Sequence, residues 1–315
     1  ESAEIDTIYF GGGTPSLLPI QFISDILQAV NENFIVHDAE ITIEVNPKTV
    51  NAEKLLQLHN IGINRISIGV QSCVDEELKY LGRLHSYNDA KSTVLSAFNA
   101  GFRNISCDLM IGITGQTIES LMYSINQLCE LPISHVSAYM LKVEENTEFN
   151  KQEIIDSLPN EDLVSDMYLL MVEMLEKKGF AQYEISNFSK IGFESRHNLK
   201  YWKCREYIGI GPSAHSYFNG KRYAVPNSLQ DFIDNDVQVE EVTEENPASF
   251  EEIAMLQLRL KEGLCLTDFG ERSAEMKSKA IALEKAELLT ISGDTISLTP
   301  KGFLISNAII EELVL

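Results

Sequence analysis

Five short apolar, β-branched runs recur through the first half of the chain, at Asp6–Phe10, Ile41–Val45, Arg65–Val70, Asn104–Met110 and Val136–Leu141. Runs of this length and composition read as strands. Between them the apolar positions change period. Phe22, Ile23, Ile26, Leu27, Val30 and Phe34 recur at helical spacing. Leu55, Leu56 and Leu58 form a second apolar face stopped by Gly62, and Val94, Leu95 and Phe98 a third stopped by Gly101. Leu121, Ile125 and Leu128 form a fourth, stopped by Pro132. Strands alternating with single helices predict right-handed βαβ units, hence an α/β fold with a parallel sheet that curls into a full or partial barrel.

The polar residues add a second pattern. The first strand runs into Gly11-Gly12-Gly13-Thr14-Pro15, the second into Glu44-Val45-Asn46-Pro47 and the third into Gly69-Val70-Gln71-Ser72. The fourth carries Asp108 before Met110-Ile111-Gly112. In a parallel barrel the carboxyl ends of all strands share one rim, where ligands bind. Gly13, Glu44, Gln71 and Asp108 are therefore expected to converge although they are far apart in sequence. A polar residue at one strand end is usually a turn former. Four on successive strands predict a ligand site. The glycine turn is no phosphate loop, because no Gly-Lys-Ser/Thr follows it.

The second half is patterned differently. Glu161–Lys178 reads as an amphipathic helix, with Leu163, Met167, Leu170, Met174 and Leu175 on one side. A region rich in aromatic residues follows, including Arg196-His197-Asn198-Leu199-Lys200-Tyr201-Trp202 and, further on, His215. Residues 239–247 form an acidic run that reads as a linker. Beyond it the pattern predicts a helical start from Ile253, a helix over Lys277–Leu289, a hairpin over Leu289–Leu298 turning at Gly293, and a closing helix over Gly302–Leu313. This order is winged-helix-like. Three regions are expected: a barrel over 1–150, a helical and aromatic extension over 151–230, and the winged module over 231–315.

Composition narrows the function classes. Of 315 residues, 44% are hydrophobic, enough for a real core. No apolar stretch is long enough to span a membrane. The net charge of −22 argues against a nucleic-acid partner and against DNA reading by the wing, which reads instead as a packing or lid module. Cys73, Cys107, Cys129, Cys204 and Cys265 are odd in number, widely spread and contain no C-x-x-C pair. They read as buried free thiols of a cytoplasmic protein.

The strand-end groups, from Ile8-Tyr9-Phe10-Gly11-Gly12-Gly13-Thr14-Pro15-Ser16-Leu17 through Glu44-Val45-Asn46-Pro47 and Asn64–Ser72 to Asp108–Gly112, resemble those of radical SAM proteins related to oxygen-independent coproporphyrinogen III oxidase. The H-N-x-x-Y-W segment at His197–Trp202 resembles the haem-chaperone branch of that family. The resemblance covers nearly the whole chain. It implies a partial (β/α)6 barrel holding S-adenosylmethionine beside a [4Fe–4S] cluster. Gly12, Gly13, Thr14, Glu44, Gln71, Arg83 and Asp108 would bind the S-adenosylmethionine. His197 would be the haem iron ligand, with Asn198, Tyr201 and Trp202 around the porphyrin and His215 as a rival ligand.

One departure limits the reading. The C-x-x-x-C-x-x-C motif that holds the cluster in this family is absent from the sequence. The resemblance places it, with a first β/α unit, ahead of the strand at Asp6, so five of six strands and an open sheet edge are expected. Such an edge invites a second copy of the chain. Three functions follow from these features. The first is a haem chaperone passing haem to an acceptor protein, at the membrane or elsewhere. The second is oxidative decarboxylation of coproporphyrinogen III propionates. The third is an interaction protein with a vestigial barrel. Whether the chain is an enzyme stays open at this point.

Overall fold

The alternation of strand and helix signals is realised residue by residue in a computed structural model, which describes residues 3–145, 149–235 and 237–314. The chain divides into two units, Glu1–His197 and Asn198–Leu315.

The first unit is built from repeated strand–helix pairs. β1 (Glu4–Phe10) is followed by a 3-10 turn at Pro15–Leu17 and α1 (Ile20–Asn33). β2 (Ile35–Val45) leads to α2 (Ala52–Asn60), whose N-terminus is capped by the Asn51 side chain. β3 (Arg65–Gln71) is followed by the short α3 (Asp75–Tyr80) and by α4 (Tyr87–Asn99), which starts in a Ser86–Asp89 capping box. β4 (Asn104–Ile111) leads to α5 (Ile118–Cys129), opened by a reciprocal Thr117–Ser120 cap, and then to β5 (His135–Met140). After α6 (Gln152–Ile155) and α7 (Glu161–Lys177) come β6 (Ala181–Gln182) and β7 (Asn187–Ser189). Among the described residues the sheet order is β1-β2-β3-β4-β5-β7-β6. The first five strands are parallel, while β7 and β6 pair antiparallel at the far side. That side of the sheet thus ends in a returning hairpin. β1 is the opposite edge of the sheet.

The two faces of the sheet differ chemically. Ile43 and Val45, Ile66 and Ile68, Ile105 and Cys107, and Val136 and Ala138 are buried on one face. Helix residues such as Ile23, Leu27, Leu55, Val94, Leu121 and Ile125 are buried with them. Each fully buried aliphatic side chain contributes about 1.5–3 kcal/mol by leaving water. The strand register puts mainly polar groups on the other face. Thr7 pairs with Glu40, Tyr9 with Thr42, Thr42 with Arg65, and Glu44 with Ser67. Ser67 pairs with Ser106, Ser106 with His135, and Asp108 with Ser137. A parallel sheet with both faces covered normally carries apolar side chains on both. Much of this polar face is buried, and Glu44, Ser67 and Asp108 on it line a cleft at the strand ends.

The second unit begins within α8 (Arg196–Trp202). β8 (His215–Phe218) and β9 (Lys221–Ala224) form a hairpin, and α9 (Leu229–Asp234) follows. The acidic run expected to be a linker contains a strand, β10 (Glu241–Glu244), antiparallel to β9. The reason is charge pairing. Arg222 on β9 donates to Glu244 at 3.0 Å, and Lys221 meets Glu245 at 2.7 Å. The C-terminal part has α10 (Phe250–Gln257), β11 (Leu264–Cys265), α11 (Arg272–Lys285), β12 (Leu289–Ser292), β13 (Thr295–Leu298), α12 (Pro300–Leu304) and α13 (Ser306–Val314). The hairpin falls where the sequence puts it, with Gly293 in the left-handed region at φ +63°. The helix expected over Lys277–Leu289 starts five residues earlier and ends at Lys285, because Glu287 turns left-handed at φ +60°. The closing helix is two helices. Ile305, at φ −120° and ψ 29°, leaves helical geometry and breaks it. Among the described residues no helix is long and apolar enough to cross a membrane.

Candidate functional site

The strand ends of the first unit surround a cleft of about 160 Å³. Gly13, Thr14, Glu44, Gln71, Arg83 and Asp108 all line it, so six of the seven rim residues expected from sequence do come together. Gly12 stands next to Gly13 in the turn but is not among the lining residues. Both glycines have positive φ, +74° and +42°, which lets the chain reverse directly after β1. Sequence reasoning did not single out Asn46, Ser67 and Gly69, which also line the cleft. A Cβ at Gly69 would come 3.1 Å from Gln71 Nε2 and 3.4 Å from Asn46 Oδ1, so the glycine leaves both side chains room at the cleft wall.

Gln71 reaches the cleft through an uncommon backbone state. It is buried, and its φ is +71°, left-handed for a non-glycine residue. The register between β3 and β4 shifts between Ile68 and Gln71. Strain of this kind is held in place by its surroundings and is concentrated at functional sites.

Two carboxylates dominate the electrostatics. Asp108 accepts a hydrogen bond from Ser67 Oγ at 3.2 Å. Burial pushes its carboxyl up to about 6, a rise opposed by the Ser67 bond and the Arg65 charge and reinforced by Glu44. Glu44 accepts from Tyr9 Oη at 2.8 Å. Burial, with Glu44 beside it, raises the Tyr9 phenol far above its ordinary value, so it stays a donor. Arg83, at the exposed mouth, carries a guanidinium suited to a carboxylate partner.

These groups match the amino-acid end of S-adenosylmethionine. An ammonium and a sulfonium suit Glu44 and Asp108, and a carboxylate suits Arg83. An iron–sulfur cluster is different. Among the described residues no three His, Cys, Asp or Glu side chains are grouped to hold a metal ion. All five cysteines are free. Cys73 and Cys107 are buried as expected, whereas Cys129, Cys204 and Cys265 are partly exposed. The residues present do not fit the cluster.

The haem motif lies on α8. His197 belongs to the first unit. Its Nδ1 is 2.9 Å from Thr7 Oγ1, and its ring is stacked on Tyr9 with 4.9 Å between centroids and 23° between planes. Glu40 holds the start of the helix, its two oxygens accepting from Arg196 N at 3.1 Å and His197 N at 3.0 Å. Arg196 also donates from its guanidinium to the Asp38 carbonyl at 2.7 Å. Asp38 sits at φ +46° where the β1–β2 register shifts. Asn198, Tyr201 and Trp202 follow on the same helix but belong to the second unit. There Tyr201 meets Tyr207 edge to face at 4.7 Å. His215 lies exposed at the start of β8, also in the second unit. Thr7, Tyr9 and Glu40 were not anticipated as site residues. The available signal was their place on the polar side of strand alternation.

Comparison with known proteins follows the same lines. Residues 1–128 match the Radical SAM superfamily, and residues 247–305 match the HemN C-terminal domain. The chain is 35% identical to the heme chaperone HemW of Bacillus subtilis over 97% of its own length and 84% of that protein. It is 34% identical to the heme chaperone HemW of Lactococcus lactis subsp. lactis over all of its length and 86% of that protein. Its fold is similar to that of coproporphyrinogen III oxidase (HemN) from Escherichia coli, described as a radical SAM enzyme, with a TM-score of 0.82 over 98% of this chain and 78% of that one at 22% identity. The structure thus bears out the curled α/β half-barrel expected from the strand pattern. The chain belongs to the HemW family of the radical SAM superfamily.

Proposed function

We propose that this protein binds haem through His197 and hands it to an acceptor protein in the cytoplasm or at a membrane surface. The observation that carries the reading is the support of His197: a bond to Thr7, a stacked Tyr9 and a helix start capped by buried Glu40. An imidazole fixed in this way is preorganised as an iron ligand. Its relatives are named heme chaperones, which agrees with that use. Asn198, Tyr201 and Trp202 would flank the porphyrin, and His215 is the competing ligand.

The rim cleft has its own assignment. Gly12, Gly13, Thr14, Glu44, Gln71, Arg83 and Asp108 would hold S-adenosylmethionine. That group, when bound beside a cluster, supplies a source of radical chemistry in this superfamily. The chain's own residues bind and orient the ligand: Arg83 takes its carboxylate, while Glu44 and Asp108 face its positive charges. A cationic ligand would draw the raised Asp108 carboxyl back down, so it binds the anion at neutral pH. Oxidative decarboxylation of a porphyrinogen would use the same rim.

The test is an anaerobic haem titration with product analysis. Binding with a Soret band, no protoporphyrinogen formed, and loss of binding in His197→Ala supports the chaperone. Protoporphyrinogen formed from coproporphyrinogen III supports the oxidase.

A further inference from the structure

The polar face of the sheet meets a ring nitrogen of His197 through Thr7. Thr7 stands on β1, near the sheet edge, and its Oγ1 is 2.9 Å from His197 Nδ1. The two residues are 190 positions apart in sequence. Three neighbouring anchors make this meeting rigid rather than incidental. Tyr183 Oη accepts from Ser195 N at 3.2 Å, Glu40 accepts from both Arg196 N and His197 N, and the Tyr9 ring backs the imidazole. The backbone from Ser195 to His197 is therefore tied at every residue before the side chain is placed.

We propose that Thr7 is a positioning residue for the haem ligand: it accepts a hydrogen bond from His197 Nδ1–H and thereby presents Nε2 to the iron. This inference rests on the reading of His197 as the ligand. A neutral imidazole carries one proton, and the nitrogen that keeps it is set by the bond the ring makes. Iron on Nε2 requires the proton on Nδ1, and a threonine hydroxyl offers an acceptor lone pair there. Such an outer partner fixes ring orientation and raises the basicity of the coordinating nitrogen. Removing it typically costs about 10- to 100-fold in metal affinity.

The experiment uses the full-length protein and haem b. Affinity is measured by anaerobic titration, and the iron–histidine stretch of the ferrous complex by resonance Raman. Thr7→Val keeps shape and strand preference but offers no acceptor. It is expected to bind haem at least tenfold more weakly and to shift the stretch to lower frequency. Thr7→Ser restores both. Thr7→Ala gives the same losses as Thr7→Val, and far-UV circular dichroism reports that each variant is folded. A folded Thr7→Val with wild-type affinity and an unshifted stretch, alongside a His197→Ala variant that loses haem, overturns the role of Thr7 alone. A His197→Ala variant that binds like wild type overturns the ligand reading itself, and the Thr7 assignment falls with it.

Discussion

The ring of Tyr9 lies almost parallel to that of His197, 4.9 Å away, and the hydroxyl of the same side chain donates to Glu44 at 2.8 Å. One residue of β1 therefore touches both the histidine of the haem motif and a carboxylate of the rim cleft. Tyr9→Phe keeps the stacked ring but removes the donor from a partly buried carboxylate. The expected loss is about 1.5–3 kcal/mol of stability, the range for a hydrogen bond to a charged group. Urea denaturation checks this, and haem affinity should stay within about twofold, since the ring that backs His197 is retained.

Glu40 is the one buried carboxylate that caps α8, and both its oxygens are used. Glu40→Ala leaves two backbone N–H groups without their acceptor. At about 1–3 kcal/mol for each buried unsatisfied group, the variant should be clearly destabilised. Hydrogen exchange at Arg196 and His197 should rise by more than tenfold in Glu40→Ala, and by less in Glu40→Gln, which keeps one acceptor oxygen.

Glu184 predicts a pH dependence. It is fully buried, one of its oxygens has no hydrogen-bond partner, and burial pushes its carboxyl up to about 7. In the unfolded chain the same group titrates near 4.5. Between these values the folded state holds a proton that the unfolded state releases, so stability falls as pH rises from about 4.5 to 7. Glu184→Gln mimics the protonated form. It should stabilise the protein by about 3 kcal/mol above pH 7 and by nothing below pH 4. Thermal unfolding of both proteins across that range is the measurement, and a pH-independent difference would contradict the burial argument.

Gly69→Ala tests the cleft without touching its charges. The new Cβ would stand 3.1 Å from Gln71 Nε2, tighter than nine in ten real contacts. Gln71 Nε2 ends a flexible side chain, so it must shift by a few tenths of an ångström and leave the place from which it lines the cleft. The folded variant should bind S-adenosylmethionine at least tenfold more weakly by calorimetry on the full-length protein, a loss of about 1.4 kcal/mol, with haem affinity unchanged.

The legible part of this molecule was the part governed by local pattern. Apolar runs and glycine stops marked the five parallel strands, and the polar residues at their ends marked the cleft, because strand ends in a parallel sheet share one rim. The support of His197 was not legible. Glu40 reaches it across 157 residues of sequence, and on its own strand it is one polar residue in an alternating run. The strand β10 was hidden for a related reason. Its glutamates look like a solvated linker until Arg222 and Lys221 are placed opposite. The break at Ile305 has no signal in the apolar spacing, which stays helical through it.

Anaerobic titration of ferrous and ferric haem into the full-length protein and into His197→Ala tests the central claim most directly. Binding of one haem with a Soret band in the wild type, and loss of that band and at least tenfold of the affinity in the variant, is the result predicted here. Equal affinity and identical spectra for the two proteins would contradict it.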